Sequence, residues 1–359
     1  MIGKNLERFK SIYRKYYYIF TALIVVLLFF VPRIFSKSTM TIVCTMCGYF
    51  IIAGALNVIN GYCGQMCFGI AGFYCVGAYT MAILMQTYHV NYFLALIPAG
   101  LAAALMGAIV ALPALRMRGM FLAMITIGFS EVMRLVALNW TEVTGGALGI
   151  KGITSPSVFG NRLSGASKYY YIYIVIVLIF LFCTRRVMKS RVGRAWLSIR
   201  EDEMAAKSLG VEIKRYKIYN FMYGAFWAGI AGALLPPYTR YIDSTYFTLE
   251  EGFNILAMLV IGGQGTLAGP FVGVGVYQMI VETLRPIGVW RFVACAVLII
   301  AMMWIRPQGL VGASNSKLAG SKRRGGFDFF KKFVKAPVKD AAESTKADAD
   351  QKEQERGDA

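Results

Sequence analysis

Apolar residues run along this chain in long blocks, separated by short polar interruptions. The blocks occupy Tyr16–Val31 and approximately residues 41–59, 67–86, 92–114, 119–138, 169–184, 216–237, 252–262, 267–284 and 290–305. Most approach the roughly 20 residues that a helix needs to cross a bilayer. The pattern therefore predicts an all-α polytopic membrane protein with about ten transmembrane helices. The block at 252–262 would be only ~17 Å long at 1.5 Å per residue, so it is expected to be broken or tilted. Two interruptions, Gly61-Tyr-Cys-Gly-Gln-Met-Cys-Phe-Gly and Gly262-Gly-Gln-Gly-Thr-Leu-Ala-Gly-Pro, are glycine- and glutamine-rich and are followed by glycine-spaced apolar sequence. Each reads either as a tight turn between helices or as a broken segment lining a pathway, since non-helical backbone at membrane depth needs protein or water around it.

Composition agrees with the pattern: 57% of the residues are hydrophobic and the mean hydropathy is +0.55, too apolar for an ordinary soluble domain. The net charge of +19 would suit a nucleic-acid binder, but its distribution does not. The basic residues cluster in 1–15, at Arg116 and Arg118, in 185–217 and beyond 306, whereas the alternate loops hold only Arg33, Lys37, Lys151, Arg162, Lys168, Arg240, Arg285 and Arg291. The positive-inside rule then puts both termini and 185–217 in the cytoplasm and the Gly/Ser/Thr/Asn-rich loop 139–168 outside. The basic start and first apolar block look like a signal peptide, but Pro32-Arg-Ile-Phe-Ser follows in place of a small-x-small cleavage site, so an uncleaved first helix is expected.

The longest polar island between apolar blocks is 185–217. Its middle, Gly193 to Val211, holds good helix formers, with Glu201, Asp202 and Glu203 before Ala205 and Ala206, and Gly210 placed for a left-handed stop. One short amphipathic helix is expected here, with Leu197, Ala205, Ala206 and Leu209 as a face that fits a partner's groove; a solvated loop with one helical turn is the plainer alternative. Residues 1–312 thus form one membrane domain. In 313–359 a basic stretch interleaved with Phe327, Phe329, Phe330 and Phe333 suits either an anionic lipid surface or a disordered tail, and mixed charge follows.

Chemistry-bearing groups are sparse. No Gly-x-x-x-x-Gly-Lys-Ser/Thr phosphate loop is present, so ATP is not bound by that device. His89 is the single histidine, and the seven cysteines lie in or beside apolar blocks, which supports neither a metal site nor a Ser/His pair. Glu131 and Arg134 fall inside the fifth block, three residues apart on one helix face. They read as a group lining the route or as a mutually satisfied structural pair. Glu282 and Arg285 close the ninth block as an interfacial pair, and glycines of the seventh and ninth blocks allow close helix approach.

Taken together, these stretches resemble one family. Gly193-Arg-Ala-Trp, Ile199-Arg-Glu-Asp-Glu, Ala205-Ala and Leu209-Gly-Val look like the cytoplasmic loop of LivM-type permeases, membrane subunits of branched-chain amino acid ABC importers. Asn139-Trp-Thr-Glu-Val-Thr-Gly-Gly-Ala-Leu-Gly resembles the family's external segment. Gly61-Tyr-Cys-Gly-Gln-Met-Cys-Phe-Gly with Gly77-Ala-Tyr, Ile261-Gly-Gly-Gln-Gly-Thr-Leu-Ala-Gly-Pro and Arg306-Pro-Gln-Gly-Leu resemble further signatures. Cys67 stands where the family often has Ser. The likeness spans about residues 41–312.

The resemblance implies a type II ABC importer permease-like fold in a bacterial inner membrane. It implies a coupling segment of Glu203, Ala205, Ala206 and Gly210 flanked by Glu201 and Asp202. Candidate translocation or gating positions are Gly61, Gln65, Glu131, Asn139, Thr144, Gly145, Gly146, Gly263 and Gln264. It also implies partners: a second, LivH-like permease, two ABC ATPase subunits that carry ATP and Mg, and an extracytoplasmic solute-binding protein. The chain itself would bind no cofactor and catalyse no reaction. Urea, short amides or other amino acids remain open as cargo, as does a stand-alone ion-coupled carrier using Glu131; an intramembrane enzyme lacks a nucleophile and a base.

Overall fold

The computed structural model describes residues 37–311 apart from 118, 155, 159, 160, 163, 164, 289 and 306–308. The predicted first span Tyr16–Val31, the N-terminal basic segment and the tail 313–359 lie outside the described residues. The helices are α1 (Lys37–Leu56), α2 (Ile70–Gln86), α3 (Tyr92–Ala114), α4 (Met120–Asn139), α5 (Ala166–Lys189), α6 (Arg191–Glu201), α7 (Glu203–Ser208), α8 (Ile213–Thr239), α9 (Leu249–Gly262), α10 (Gly269–Thr283) and α11 (Trp290–Ile305). Each described apolar block has its helix. Five are long and apolar enough to cross a membrane: Ser38–Tyr62, which extends α1, and α3, α4, α5 and α8. The chain is a multi-pass, mostly helical membrane protein. α9 and α10 are short, with 14 and 15 residues; the length of the 252–262 block pointed to a short element at α9 only.

α8 lies at the centre and packs most extensively against α2 and α3. Lipid gives helices no hydrophobic reason to associate, so close contact between small residues has to supply it. A Cβ on Gly77 of α2 would collide with the Gly229 carbonyl of α8, and one on Gly107 of α3 would lie 2.6 Å from the Ala225 Cβ. The outward face of α3 is an apolar stripe of Phe93, Ile97, Leu101, Leu105, Ile109 and Leu112, all exposed in the isolated chain.

The first interruption is more than a turn. α1 runs into a π-helical turn, Asn57–Tyr62, after which the backbone is non-helical until α2 starts at Ile70. The stretch stays inside the bundle: Phe68 N–H donates to Thr126 Oγ1 of α4 over 3.1 Å, and Thr126 is fully buried. Two asparagines in the apolar block make this possible. Asn60 donates to the Cys67 carbonyl (3.1 Å) and accepts from the Cys67 N–H (3.0 Å), replacing bonds that a continuous helix would have made.

Four short strands, β1 (Ile150–Lys151), β2 (Ser157–Val158), β3 (Asn161–Arg162) and β4 (Tyr241–Ile242), complete the described chain. β1 pairs antiparallel with β4 and β2 with β3. The β1–β4 pair joins the long 139–165 loop to the end of α8.

Helix approach sets the first prediction. Gly77→Val should lower the melting temperature of the purified protein by several degrees, because the α2–α8 crossing must open. Gly128→Val on α4, where an added Cβ meets nothing within 4 Å, should leave it nearly unchanged in the same thermal assay.

Candidate functional site

The polar island does not form one helix. Asp202 takes an extended conformation, and its Oδ1 accepts from the N–H groups of Met204 (2.8 Å) and Ala205 (3.0 Å). A side chain that caps the next helix so well ends the previous one. The expected single helix is therefore two, α6 capped by Ser190 and α7 capped by Asp202. Gly210 does take a left-handed conformation after α7, with φ of 81°.

Burial sorts the expected contact face. Leu197, Ala205 and Leu209 point outward, Leu209 being 81% exposed and joined by Met204 at 62%. Ala206 corrects the sequence reading: it is 1% exposed and packs inward with Val58, Tyr62, Cys63, Trp196 and Ile199. Trp196 is the anchor of that cluster, buried to 1% with its indole N–H donating to the Tyr216 carbonyl over 2.9 Å. Glu203 binds Lys217 of α8 through a 2.7 Å ion pair. Glu201 and Asp202 are exposed.

α6 also reaches the two glycine-glutamine interruptions, which the fold brings together. Asn57 Nδ2 donates to the Thr266 carbonyl (2.8 Å), and Asn57 Oδ1 accepts from the Gly265 N–H (2.8 Å). A Cβ on Gly61 would sit 2.6 Å from the Gly265 nitrogen, so this approach needs a bare backbone. The Arg200 guanidinium donates to the Gly61 carbonyl and lies against Gly265, whose φ is 82°. The second interruption is strapped from the far end of the chain: Leu310 and Val311 N–H donate to the Ile261 and Gly262 carbonyls, each over 2.9 Å. Gly263 is buried and Gln264 exposed, while Gln65 is 4% exposed with its Oε1 unpartnered among the described residues. The two interruptions, the polar island and residues 309–311 thus form one junction at one end of the bundle.

The remaining candidates lie elsewhere. Thr144 is buried, its hydroxyl donating toward the Ala137 (2.7 Å) and Trp140 (2.6 Å) carbonyls and accepting from the Gly146 N–H (3.3 Å). Gly145 and Gly146 both have positive φ there, so Thr144-Gly-Gly shapes a turn at the opposite end from the junction. Asn139 is exposed and donates back to the Leu135 carbonyl over 2.8 Å. Nearby, partial desolvation and then the Asp243 carboxylate, which accepts its hydroxyl, raise the Tyr241 phenol above its ordinary value. Glu131 and Arg134 pair with each other on α4, with Arg134 Nε 3.0 and 3.1 Å from the two carboxylate oxygens. They touch neither the junction nor the Thr144 turn. Sequence reasoning missed Asn57, Asn60 and Arg200; asparagines inside an apolar block were the available signal.

Comparison with known proteins places this architecture. The family described as "Branched-chain amino acid transport system / permease component" matches residues 38–302. The chain belongs to this family. It is 33% identical over 310 residues to the Escherichia coli (strain K12) high-affinity branched-chain amino acid transport system permease protein LivM, covering 80% of this chain and 73% of that protein. It is 26% identical over 318 residues to the LivH permease protein of the same strain, covering 79% and 96% respectively. A probable LivM of Methanocaldococcus jannaschii is 24% identical over 312 residues, covering 73% and 90%. No solved structure matches the chain. The family and these relatives are transport permeases rather than enzymes. In this branched-chain amino acid transport permease family member, the match takes in both interruptions and the whole polar island.

The junction makes a local prediction. Arg200→Met leaves the buried Gly61 carbonyl short of a charged donor, at a cost of about 1–3 kcal/mol. Protease cleavage within 190–212 should rise about tenfold, with the melting of the bundle little changed. An unaltered cleavage rate would show that Arg200 does not hold the loop.

Proposed function

We propose that this chain is the LivM-type permease subunit of an ATP-driven importer for leucine, isoleucine and valine in a bacterial inner membrane. The observation that supports it most is the junction. A loop with an outward apolar patch is bonded through one arginine to the first break in the helix bundle and lies against the second, in a chain of the matching family. Such a patch, Met204, Ala205 and Leu209 on α7, suits the groove of an ATPase subunit. ATP and Mg belong to two such subunits, and this chain binds no cofactor. A second, LivH-like permease completes the membrane part, and a solute-binding protein delivers cargo at the end that carries the Thr144 turn.

Closure of the ATPases on ATP would displace α7. Because α7 is tied to α6 by the packed Ala206 and Trp196, and to α8 by the Glu203–Lys217 pair, the displacement moves the loop as a body. Arg200 carries that motion to the two breaks, which is rigid-body gating biased by different contacts in each state. The topology in this reading is about ten transmembrane helices with both termini in the cytoplasm, of the type II importer class.

Two experiments test the reading. Leu209→Asp puts a charge on the outward patch without touching the buried cluster. It should leave melting unchanged but abolish co-purification of the ATPase and leucine uptake, whereas Ala206→Asp should unfold the loop, because a buried unpaired charge costs several kcal/mol. Uptake at the normal rate by Leu209→Asp would overturn the docking assignment. For topology, Leu148→Cys, at a site now 72% exposed, should react with a membrane-impermeant maleimide on intact cells. Leu209→Cys should react only after permeabilisation; the reverse pattern would overturn the orientation.

A further inference from the structure

A second polar group borders the junction, where α1, α2, α9 and α10 meet. Its centre is Glu251, in the first turn of α9. The Tyr49 phenol of α1 lies beside this carboxylate. Asn254, one turn along α9, donates to Glu251 Oε2 over 3.4 Å and is fixed by the Tyr277 hydroxyl of α10, which donates to Asn254 Oδ1 over 2.8 Å. Tyr74 of α2 lies near enough to interact electrostatically with the same carboxylate. No lysine, arginine or histidine among the described residues forms an ion pair with Glu251.

The group sits deep in the bundle. Gly252 packs on the non-helical stretch before α2, where an added Cβ would be 3.3 Å from the Phe68 carbonyl, and the Phe68 and Phe253 rings are 6.3 Å apart. That stretch is itself bonded to Thr126, seven residues into α4. The start of α2 and the start of α9 therefore converge inside the bundle rather than at its ends. Broken helices that meet at depth are where transporters place their cargo.

A carboxylate held at depth without a cation is costly and points to function. Its neighbours define what complements it. Asn254 donates to the carboxylate, and the phenol oxygens of Tyr49 and Tyr74, which lie beside it, can accept. Glu251, Tyr49, Tyr74 and Asn254 are each part-exposed in the isolated chain. One carboxylate and phenol acceptors match a primary ammonium group, which offers one positive charge and three donors.

We propose that Glu251, with Tyr49 and Asn254, forms the subsite that receives the ammonium group of the amino acid during its passage between α1, α2, α9 and α10. This rests on the amino acid import proposed above and assigns residues to it that the motif resemblance does not reach.

The test uses the assembled complex, purified with its co-expressed partner subunits and without solute-binding protein, and measures retention of labelled leucine and labelled 4-methylpentanoate. The two differ in the ammonium group. The unaltered complex should hold leucine about tenfold more tightly. Glu251→Gln should erase that preference and Glu251→Asp should restore part of it, which a merely structural role for Glu251 would not do. A Glu251→Gln complex that keeps the full preference overturns the inference, as does an unaltered complex that shows none. If Glu251→Gln fails to assemble, Tyr49→Phe decides: a preference weakened about threefold supports the subsite, and an unchanged one overturns it. ATP-driven leucine uptake by the unaltered complex in proteoliposomes, with binding protein added, reports separately on the import reading. Uptake with no ammonium preference refutes the subsite alone, while absence of amino acid uptake refutes both.

Discussion

The constraint that organises this protein is the need to satisfy backbone polar groups where there is no water to do it. A continuous helix meets it automatically. This chain stops being helical twice inside its own bundle, between Tyr62 and Ile70 and again between Gly262 and Gly269, and each stop exposes N–H and C=O groups that need other partners. The partners come from a small set of side chains. Asn60 bonds both backbone groups of Cys67, Thr126 takes the Phe68 N–H, and Asn57 takes one donor and one acceptor from the second stop. Because Asn57 belongs to the first stop and bonds the second, the two breaks depend on each other.

The polar loop joins this arrangement by hydrogen bonding and by packing. Arg200 bonds the Gly61 carbonyl from outside, and Trp196 and Ala206 are buried on the same π-helical turn. The side of the loop facing the bundle is thus fixed by packing and hydrogen bonds, whereas the side facing away carries exposed Met204 and Leu209. One segment is built for two contacts, and the Asp202 cap keeps α7 short and firmly placed between them.

Much of this was legible in the sequence. The blocks at 92–114 and 290–305 coincide with α3 and α11 because flanking polar residues mark their ends. The short block at 252–262 did signal a partial helix. Three features were hidden, each for a physical reason. Asn57 and Asn60 sit within an apolar run, where periodicity reads helix, and only the tertiary partners Thr266 and Cys67 reveal their work. Asp202 was read as a favourable charge near a helix start, which it is, but the helix that it starts is the second one. Glu251 stands one residue before the apolar block at 252–262, and only the packing of Gly252 on the Phe68 carbonyl reveals what lies beside it. The Thr144-Gly-Gly motif, by contrast, was conspicuous in sequence and forms a self-contained turn.

One further consequence follows from Asn57. Its amide has two ends, and both are committed to the second break. Any separation of α1 from the α9–α10 hairpin must sever the Thr266 and Gly265 bonds together, since one rigid planar group holds both. Intermediate separations would strand an amide in a dry interior without gaining anything in return. The cost of parting the two breaks is therefore concentrated in a single side chain.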